Sequence, residues 1–146
     1  MRVGNALAGL AVRDLVDSAD WYARLFGRPH DASPMEGLVE WRFPGGGWLQ
    51  VFADAERAGH GSVTLAVANI EETRTELEAQ GHPIEWSFDG DITNGAVIRD
   101  PDGNRVVFAQ SVNEEINPSA HIDGAGEGTS IKVRRDGAGP SGRTTA

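Results

Sequence analysis

The residue types that most often do chemistry in proteins are scarce in this chain and do not cluster along it. There is no cysteine, so disulfides and thiolate chemistry are excluded. None of the four histidines is spaced with an acidic residue or a second imidazole as a local metal motif would be; they are His30, His60, His82 and His121. No Ser-His-Asp order, phosphate-cradling glycine loop or catalytic carboxylate pair is visible. Local motifs therefore do not predict a catalytic centre.

Aromatic rings and a few polar groups remain as candidates for ligand contact. Indole and phenyl faces stack on planar or cationic groups at low entropic cost. An amide can orient a ligand, and a guanidinium can pair with an anionic group. The candidate ligand-binding residues are Trp41, Trp48, Gln50, Phe52, Ser62, Thr64, Trp86 and Arg105. A place in the core or in a dimer interface is an equally good interpretation of each tryptophan, and an arginine directly after a turn is typically solvated.

The alternation of side chains along strands assigns these candidates to faces. Alternate residues of a strand share a face, which puts Trp48, Gln50 and Phe52 on one side, opposite the packed Leu49 and Val51. The same reasoning groups Arg105, Val107 and Ala109. Glu40 and Arg42 alternate with Trp41, so if that strand is half exposed they are expected on its outer side as a solvated pair.

The elements that would position these residues form an internal repeat. Leu10-Ala11-Val12 recurs fifty-five positions later as Leu65-Ala66-Val67. Each copy precedes a helix-capping residue, Asp14 or Asn69, and a helical run. The helices are predicted over residues 15–26 and 70–80. Strand-like runs follow each helix, at residues 38–43 and 48–52 in the first half and at residues 84–88, 96–99 and 105–109 in the second.

Composition limits the class of protein. The 146 residues suit one domain with a single core. Residues 1–112 carry 17 acidic and 9 basic residues, a balance that argues against a nucleic-acid partner and mildly favours cationic or neutral small ligands. No apolar run is long enough to span a membrane and no leader is evident, so a cytoplasmic protein is expected. Residues 113–146 are rich in Gly, Ser, Thr, Pro and charge; they predict a flexible or loosely docked tail with a short strand at 131–133.

Several segments together carry a family likeness. They are Leu10-Ala11-Val12-Arg13-Asp14-Leu15, Trp21-Tyr22, Leu25-Phe26-Gly27 and Asp100-Pro101-Asp102-Gly103-Asn104. With the repeat, they resemble the vicinal oxygen chelate superfamily, which includes glyoxalase I, extradiol dioxygenases and bleomycin-resistance proteins. The resemblance implies an α+β domain over residues 1–112, in which two βαβββ modules, about 6–55 and 61–110, form curved mixed sheets around a cavity. It also implies a homodimer, because open sheet edges need covering.

The resemblance also implies where a metal would sit, since metal-dependent members use the first and last strands of each half. The aligned positions hold Leu7, Gln50, Ser62 and Val107. Catalytic metal sites need several imidazole or carboxylate ligands, so we expect no metal and no other cofactor. The sequence thus predicts a metal-free protein of the bleomycin-resistance type that sequesters a small planar or cationic molecule.

Two alternatives stay open at this point. One is an enzyme of the same fold, either with nonstandard metal ligands such as His60 and Gln50 or with metal-free catalysis by Gln50, Ser62 and Arg105. The other is an interaction or regulatory module that depends on the tail. Metal content and turnover separate the first from a binding protein, and truncation after Gln110 tests the second.

Overall fold

Each half of the chain folds into a βαβββ module. The computed structural model describes residues 1–112, and the predicted tail, with its strand at 131–133, lies outside the described residues. Module 1 comprises β1 (Leu7–Val12), α1 (Leu15–Phe26), β2 (Ala32–Met35), β3 (Leu38–Arg42) and β4 (Trp48–Ala53). Module 2 comprises β5 (Ser62–Ala66), α2 (Ile70–Ala79), β6 (Trp86–Asp89), β7 (Thr93–Arg99) and β8 (Arg105–Ser111). The predicted fold class is confirmed.

The two modules share one topology. Module 1 forms a four-stranded sheet in the order β1-β4-β3-β2, and module 2 forms a second sheet in the order β5-β8-β7-β6. The first strand of each module pairs in parallel with the last, whereas the other pairings are antiparallel. The tripeptide repeat in the sequence therefore reflects a repeated mixed sheet.

Each helix begins at a capping side chain and covers one face of its own sheet. Asp14 accepts a hydrogen bond from the backbone N–H of Asp17 at 3.0 Å, and α1 ends at Gly27, whose φ of 68° is in the left-handed region. Asn69 caps α2 in the same way. Beneath the helices lies one apolar core, which includes Leu10, Val12, Tyr22, Val39, Trp41, Leu49, Val51, Leu77, Ile98, Val106 and Phe108. None of the helices in residues 1–112 is long and apolar enough to cross a membrane.

One strand was not anticipated from the sequence. β2 contains Ser33 and Pro34, is almost wholly exposed, and ends its sheet. An edge strand tolerates proline because one row of its N–H groups has no ladder partner, and its exposure removes the apolar alternation by which a strand is recognised. β7 likewise begins three residues before the predicted run, at the polar Thr93-Asn94-Gly95.

The modules meet along a seam, where β1 lies beside β5. A Cβ on Gly61, directly before β5, would lie 2.8 Å from Cδ2 of Leu10, in the second half of β1. At the other end of the seam, Leu7 and Ala66 line the same cavity. The two strands therefore run in opposite directions, and the modules are related by an approximate twofold rotation.

Candidate functional site

Each sheet has one face that carries no helix, and the predicted site residues lie mostly on these helix-free faces. In module 1, strand register places Leu38, Glu40 and Arg42 of β3 opposite Phe52, Gln50 and Trp48 of β4. In module 2, Ser62 and Thr64 of β5 lie beside Arg105 and Val107 of β8. The alternation predicted for β4 and β8 matches this register.

The module-2 hollow, a depression of about 470 Å³ on the helix-free face of module 2, brings three predicted site residues together. Its lining consists of Ser62, Glu85, Trp86, Phe88, Val97, Arg105 and Val107. Trp86 is 61% exposed, unusual for so large an apolar side chain. Its ring centroid lies 5.0 Å from that of Phe88 with the planes tilted by 34°. The two rings therefore form an aromatic wall beside a hydroxyl and a guanidinium.

A glycine on the neighbouring strand gives the aromatic wall its position. Gly95 is the register partner of Phe88, and a Cβ on Gly95 would lie 2.2 Å from Cζ of that ring and 2.7 Å from the Phe108 carbonyl oxygen. Only a residue without a Cβ allows the ring to lie across the sheet at this point. Gly95 was not among the predicted site residues, because a glycine in a strand carries no chemical signal of its own.

The two arginines beside Glu85 in the module-2 hollow differ in their hydrogen bonds. Arg99 donates through Nε and Nη2 to the two carboxylate oxygens of Glu85, and its Nη1 donates to the Gly103 carbonyl at 2.8 Å. The Arg99 guanidinium lowers the pKa of Glu85, chiefly through these hydrogen bonds, and Arg105 adds a smaller electrostatic contribution. Arg105 makes no side-chain hydrogen bond or ion pair among the interactions identified within residues 1–112. The Glu85 carboxylate is thus held by Arg99 and not by Arg105.

Glu40 and Arg42 do not form the expected solvated outer pair, and that prediction is wrong. Glu40 is only 3% exposed. Its carboxylate accepts hydrogen bonds from Gln50 Nε2 at 2.9 Å and from Arg42 Nη2 at 3.2 Å. The guanidinium of Arg42 lies 4.3 Å from the Trp48 ring centroid. Because antiparallel partners share a face, placing Gln50 on the helix-free side requires Glu40 there also.

The same register places Trp41 on the face of its sheet that α1 covers, opposite the helix-free face. Trp41 is paired with the core residue Leu49, is fully buried under α1, and packs against Tyr22 and Phe26. Its indole Nε1 donates to the Arg28 carbonyl oxygen at 3.2 Å. Trp41 is therefore a core aromatic, which is the alternative interpretation that the sequence left open for each tryptophan.

The remaining candidates, Trp48, Thr64 and Phe52, lie outside the module-2 hollow. Trp48 and Thr64 line the seam cleft, a largely apolar cavity of about 710 Å³ between the modules, together with Leu7, Phe26 and Phe108. The Phe52 ring leans over Gly9 and carries the Arg57 guanidinium at 5.3 Å from its centroid. Arg57 and His60 line a smaller hollow of about 260 Å³. The predicted residues therefore divide among separate depressions.

The positions implied for a metal hold an unsuitable donor set. Leu7 and Val107 offer no donor atom, and the Gln50 amide nitrogen is engaged by Glu40. Nowhere in residues 1–112 do three His, Asp or Glu side chains come together in a ligating arrangement. His60 lies at the seam among residues of the smaller hollow and does not complete a set with Gln50. These residues do not fit a divalent cation.

Comparison with known proteins agrees with the fold and finds similar proteins that differ in function. The sequence model of the Glyoxalase/Bleomycin resistance protein/Dioxygenase superfamily matches residues 5–108. A glyoxalase/bleomycin resistance protein from Catenulispora acidiphila is similar at 26% identity and a TM-score of 0.65, over 73% of this chain and 96% of that one. No curated protein matches the chain significantly in sequence.

Two further solved structures share the fold at lower identity. TnmS3, an antibiotic binding protein from Streptomyces sp. CB03234, has 18% identity and a TM-score of 0.66, over 75% of this chain and 97% of that one. A lactoylglutathione lyase from Agrobacterium tumefaciens has 23% identity and a TM-score of 0.63, over 75% and 94%. The same architecture therefore occurs in a binding protein and in an enzyme.

Proposed function

This chain belongs to the glyoxalase/bleomycin resistance protein/dioxygenase superfamily, and we propose that within it the chain is a metal-independent binding protein for a planar small molecule. The observation that carries the proposal is the module-2 hollow, in which Trp86 and Phe88 form an exposed aromatic wall next to Ser62 and Arg105. Small-molecule sites are typically apolar cavities of about 300–1,000 Å³ with a few polar groups that orient the ligand. The hollow has that size and composition.

Binding in this hollow follows from the exposure of its aromatic wall. A planar ligand laid on Trp86 removes water from both faces, and stacking adds about 0.5–1.5 kcal/mol beyond the buried area. Because Gly95 keeps Phe88 flat on the sheet, the wall is formed before the ligand arrives and little side-chain entropy is lost. The Ser62 hydroxyl and the Arg105 guanidinium lie on neighbouring strands, where they can orient the ligand.

The donor set and the similar structures support binding rather than a metal-assisted reaction. Leu7, Gln50, Ser62 and Val107 do not supply the imidazoles or carboxylates that catalytic metal sites need. The TnmS3 structure is described as an antibiotic binding protein, which is a precedent for ligand binding on this architecture. The lactoylglutathione lyase is a precedent for the enzymatic alternative.

Tryptophan fluorescence tests the proposal. The full chain is titrated with a panel of planar compounds, before and after dialysis against a chelator. We expect saturable quenching that the chelator does not change. Trp86→Ala should weaken binding by about tenfold or more, because the stacking face is lost. Trp21→Phe removes one indole from α1, where it packs against Tyr22 and His82, and should leave the affinity unchanged.

Two results would contradict the proposal. One is the absence of saturable binding across the panel. The other is binding that requires added zinc, manganese, nickel or iron(II), since this would mean that residues outside the predicted positions complete a metal site. Conversion of many equivalents of a bound compound per protein would favour the enzymatic alternative.

We also propose that the protein is a homodimer. β2 and β6 end the two sheets of the described region, and β2 exposes the large apolar side chain of Met35 at 64%. Exposed sheet edges and apolar groups are commonly covered by association. Light scattering coupled to size-exclusion chromatography should give a mass near twice 15.6 kDa; a mass near that of one chain across micromolar concentrations would contradict the dimer.

A further inference from the structure

We propose that the ligand of the module-2 hollow carries an anionic group, such as a carboxylate, which Arg105 and Ser62 bind while the planar part lies on Trp86. This inference rests on the proposed function and specifies the charge of the ligand. The net charge of the chain, −9, favours a cationic or neutral compound. Inside the hollow, Glu85 is already bound by Arg99, which leaves the guanidinium of Arg105 to favour an anion.

The charges across β7 and β8 leave a place for an anion. Arg99 and Arg105 are direct register partners on these antiparallel strands. Like charges placed directly opposite each other destabilise a strand pair. Within residues 1–112, Glu85 is the one carboxylate that lines the hollow, and both of its oxygens accept hydrogen bonds from Arg99. A second anion beside Arg105 would relieve the remaining repulsion.

Arg105 also differs from the other arginines on the helix-free faces. Arg42 donates to Glu40 and covers the ring of Trp48. Arg57 pairs with Asp54 at 3.8 Å and covers the ring of Phe52. Arg99 is held by Glu85 and by the Gly103 carbonyl. Among these four, only Arg105 presents a guanidinium whose donors are not taken up by side chains of residues 1–112.

The spacing of the groups that would share the ligand suits a carboxylate attached to a ring. Ser62 is the register partner of Arg105 on the neighbouring parallel strand, so a hydroxyl and a guanidinium stand side by side on one face. A guanidinium binds a carboxylate through two parallel N–H donors, and a hydroxyl can add a third. The aromatic wall lines the same hollow. A compound with a flat ring and an attached carboxylate therefore matches both parts of the site.

Three naphthalene derivatives with one ring system test the inference by isothermal titration calorimetry on the full chain. They are 2-naphthoate, 2-naphthamide and (2-naphthylmethyl)ammonium, which are anionic, neutral and cationic at neutral pH. We expect the naphthoate to bind about tenfold more tightly than the amide and the ammonium compound to bind most weakly. Raising the salt concentration should narrow these differences, because the contact is exposed to solvent.

Variants of the full chain assign the preference to Arg105. Arg105→Gln should bring the naphthoate affinity to within about twofold of the amide affinity measured on the same variant. Arg105→Lys should retain part of the preference, because it keeps the charge but loses the paired donors. Arg57→Gln, an arginine on the helix-free face of module 1, is the matched control and should retain the whole preference. Urea unfolding of each variant checks that it folds.

The outcomes separate the inference from the proposed function. If naphthamide binds and Trp86→Ala abolishes that binding, but naphthoate binds no more tightly than the amide, the proposed function holds and the anionic ligand is wrong. The assignment to Arg105 is likewise wrong if Arg105→Gln leaves the naphthoate preference intact. If none of the three compounds binds, both the planar-ligand site and its anionic preference are wrong.

Discussion

The two ends of the seam between the modules are built from equivalent turns but differ in what fills them. In the turn before β4, the Phe43 N–H donates a hydrogen bond to the Gly47 carbonyl oxygen at 2.9 Å. In the turn before β8, the Asp100 N–H donates to the Asn104 carbonyl oxygen at 3.0 Å. The backbone of the two turns is therefore matched. The side chains are not, since Gly45-Gly46-Gly47 in the first turn corresponds to Asp102-Gly103-Asn104 in the second.

The end with Asp100 and Asn104 is closed by a buried polar network. Asn104 donates from Nδ2 to the Ala11 carbonyl in module 1 at 2.8 Å and accepts from the Gly61 N–H at 2.8 Å. Asp100 accepts from the hydroxyl of Tyr22, on α1, at 2.8 Å and from Asn104 Nδ2 at the same distance. Both residues are almost fully buried. The network thus joins β1, α1, β5 and the second turn.

The end with the glycine turn is open. Gly45 and Gly47 line the seam cleft with Ala66, which is the repeat equivalent of Ala11. Leu77 of α2 occupies the place that Tyr22 occupies in α1. Apart from Thr64, the lining here consists of apolar residues and glycines, and none of the hydrogen bonds identified within residues 1–112 joins the modules at this end. The comparison shows that the repeat reproduces the backbone, whereas the side chains of one turn decide whether a seam end is joined or left as a cavity.

The largest expected effect comes from removing the joining amide. Asn104→Ala leaves the Ala11 carbonyl and the Gly61 N–H without their partner and takes one donor from the buried Asp100 carboxylate. Unpaired buried groups cost about 1–3 kcal/mol each, so we expect the free energy of unfolding in urea to fall by about 3 kcal/mol. Asn94→Ala is the matched control, because the Asn94 side chain accepts a single hydrogen bond, from the Gly90 N–H; it should cost less than about 1 kcal/mol. Equal losses would contradict the special role of the Asn104 end.

A smaller effect, with a pH signature, is expected from Tyr22→Phe. Tyr22 is the sole tyrosine of the chain. Burial, followed by the charge and hydrogen bond of Asp100, raises the pKa of Tyr22 far above its usual value of 10.0. Above about pH 10 the unfolded chain loses this proton while the folded chain keeps it, so wild-type stability falls as the pH rises, by up to about 1.4 kcal/mol per pH unit.

At pH 7 the variant should be less stable by about 1–2 kcal/mol, because Asp100 loses a donor. Since phenylalanine does not titrate, the difference between wild type and Tyr22→Phe should shrink above about pH 10. Urea unfolding from about pH 8 to 11 measures this difference. A constant difference over that range would show that Tyr22 ionises normally and that the network is open to solvent.

The smallest expected effect is a gain in stability. It comes from placing an asparagine at the open end of the seam, in the turn position that Asn104 holds at the closed end. Gly47 is outside the left-handed region, and a Cβ placed on it meets nothing within 4 Å. Gly47→Asn should reach the Ala66 carbonyl as Asn104 reaches Ala11, raising the free energy of unfolding by about 0.5–1.5 kcal/mol. Gly46→Asn is the control, since Gly46 has a φ of 90° and a side chain there is strained. No gain from Gly47→Asn would mean that the seam ends differ in backbone spacing as well as in side chains.

Particular residues show how far the sequence could predict the candidate site. Alternation along β4 and β8 correctly assigned Gln50, Trp48 and Arg105 to the helix-free faces, because the period of two is a local property. For Glu40 and Trp41, on β3, the sequence predicted the wrong faces, because these depend on how β3 is registered against β4. Gly95 escaped notice because its role is to leave room for the ring of Phe88 on another strand.

The sequence by itself determined the repeat, both capped helices, the apolar faces of the main strands and the unsuitability of Leu7 and Val107 as metal ligands. These follow from local periodicity and from the chemistry of single side chains. Only the tertiary structure decided that Ser62, Trp86 and Arg105 share one hollow, that Glu85 is already bound by Arg99, and that Asn104 joins the modules. These contacts link residues far apart in the chain, and their partners are set by strand register and by the packing of the two modules.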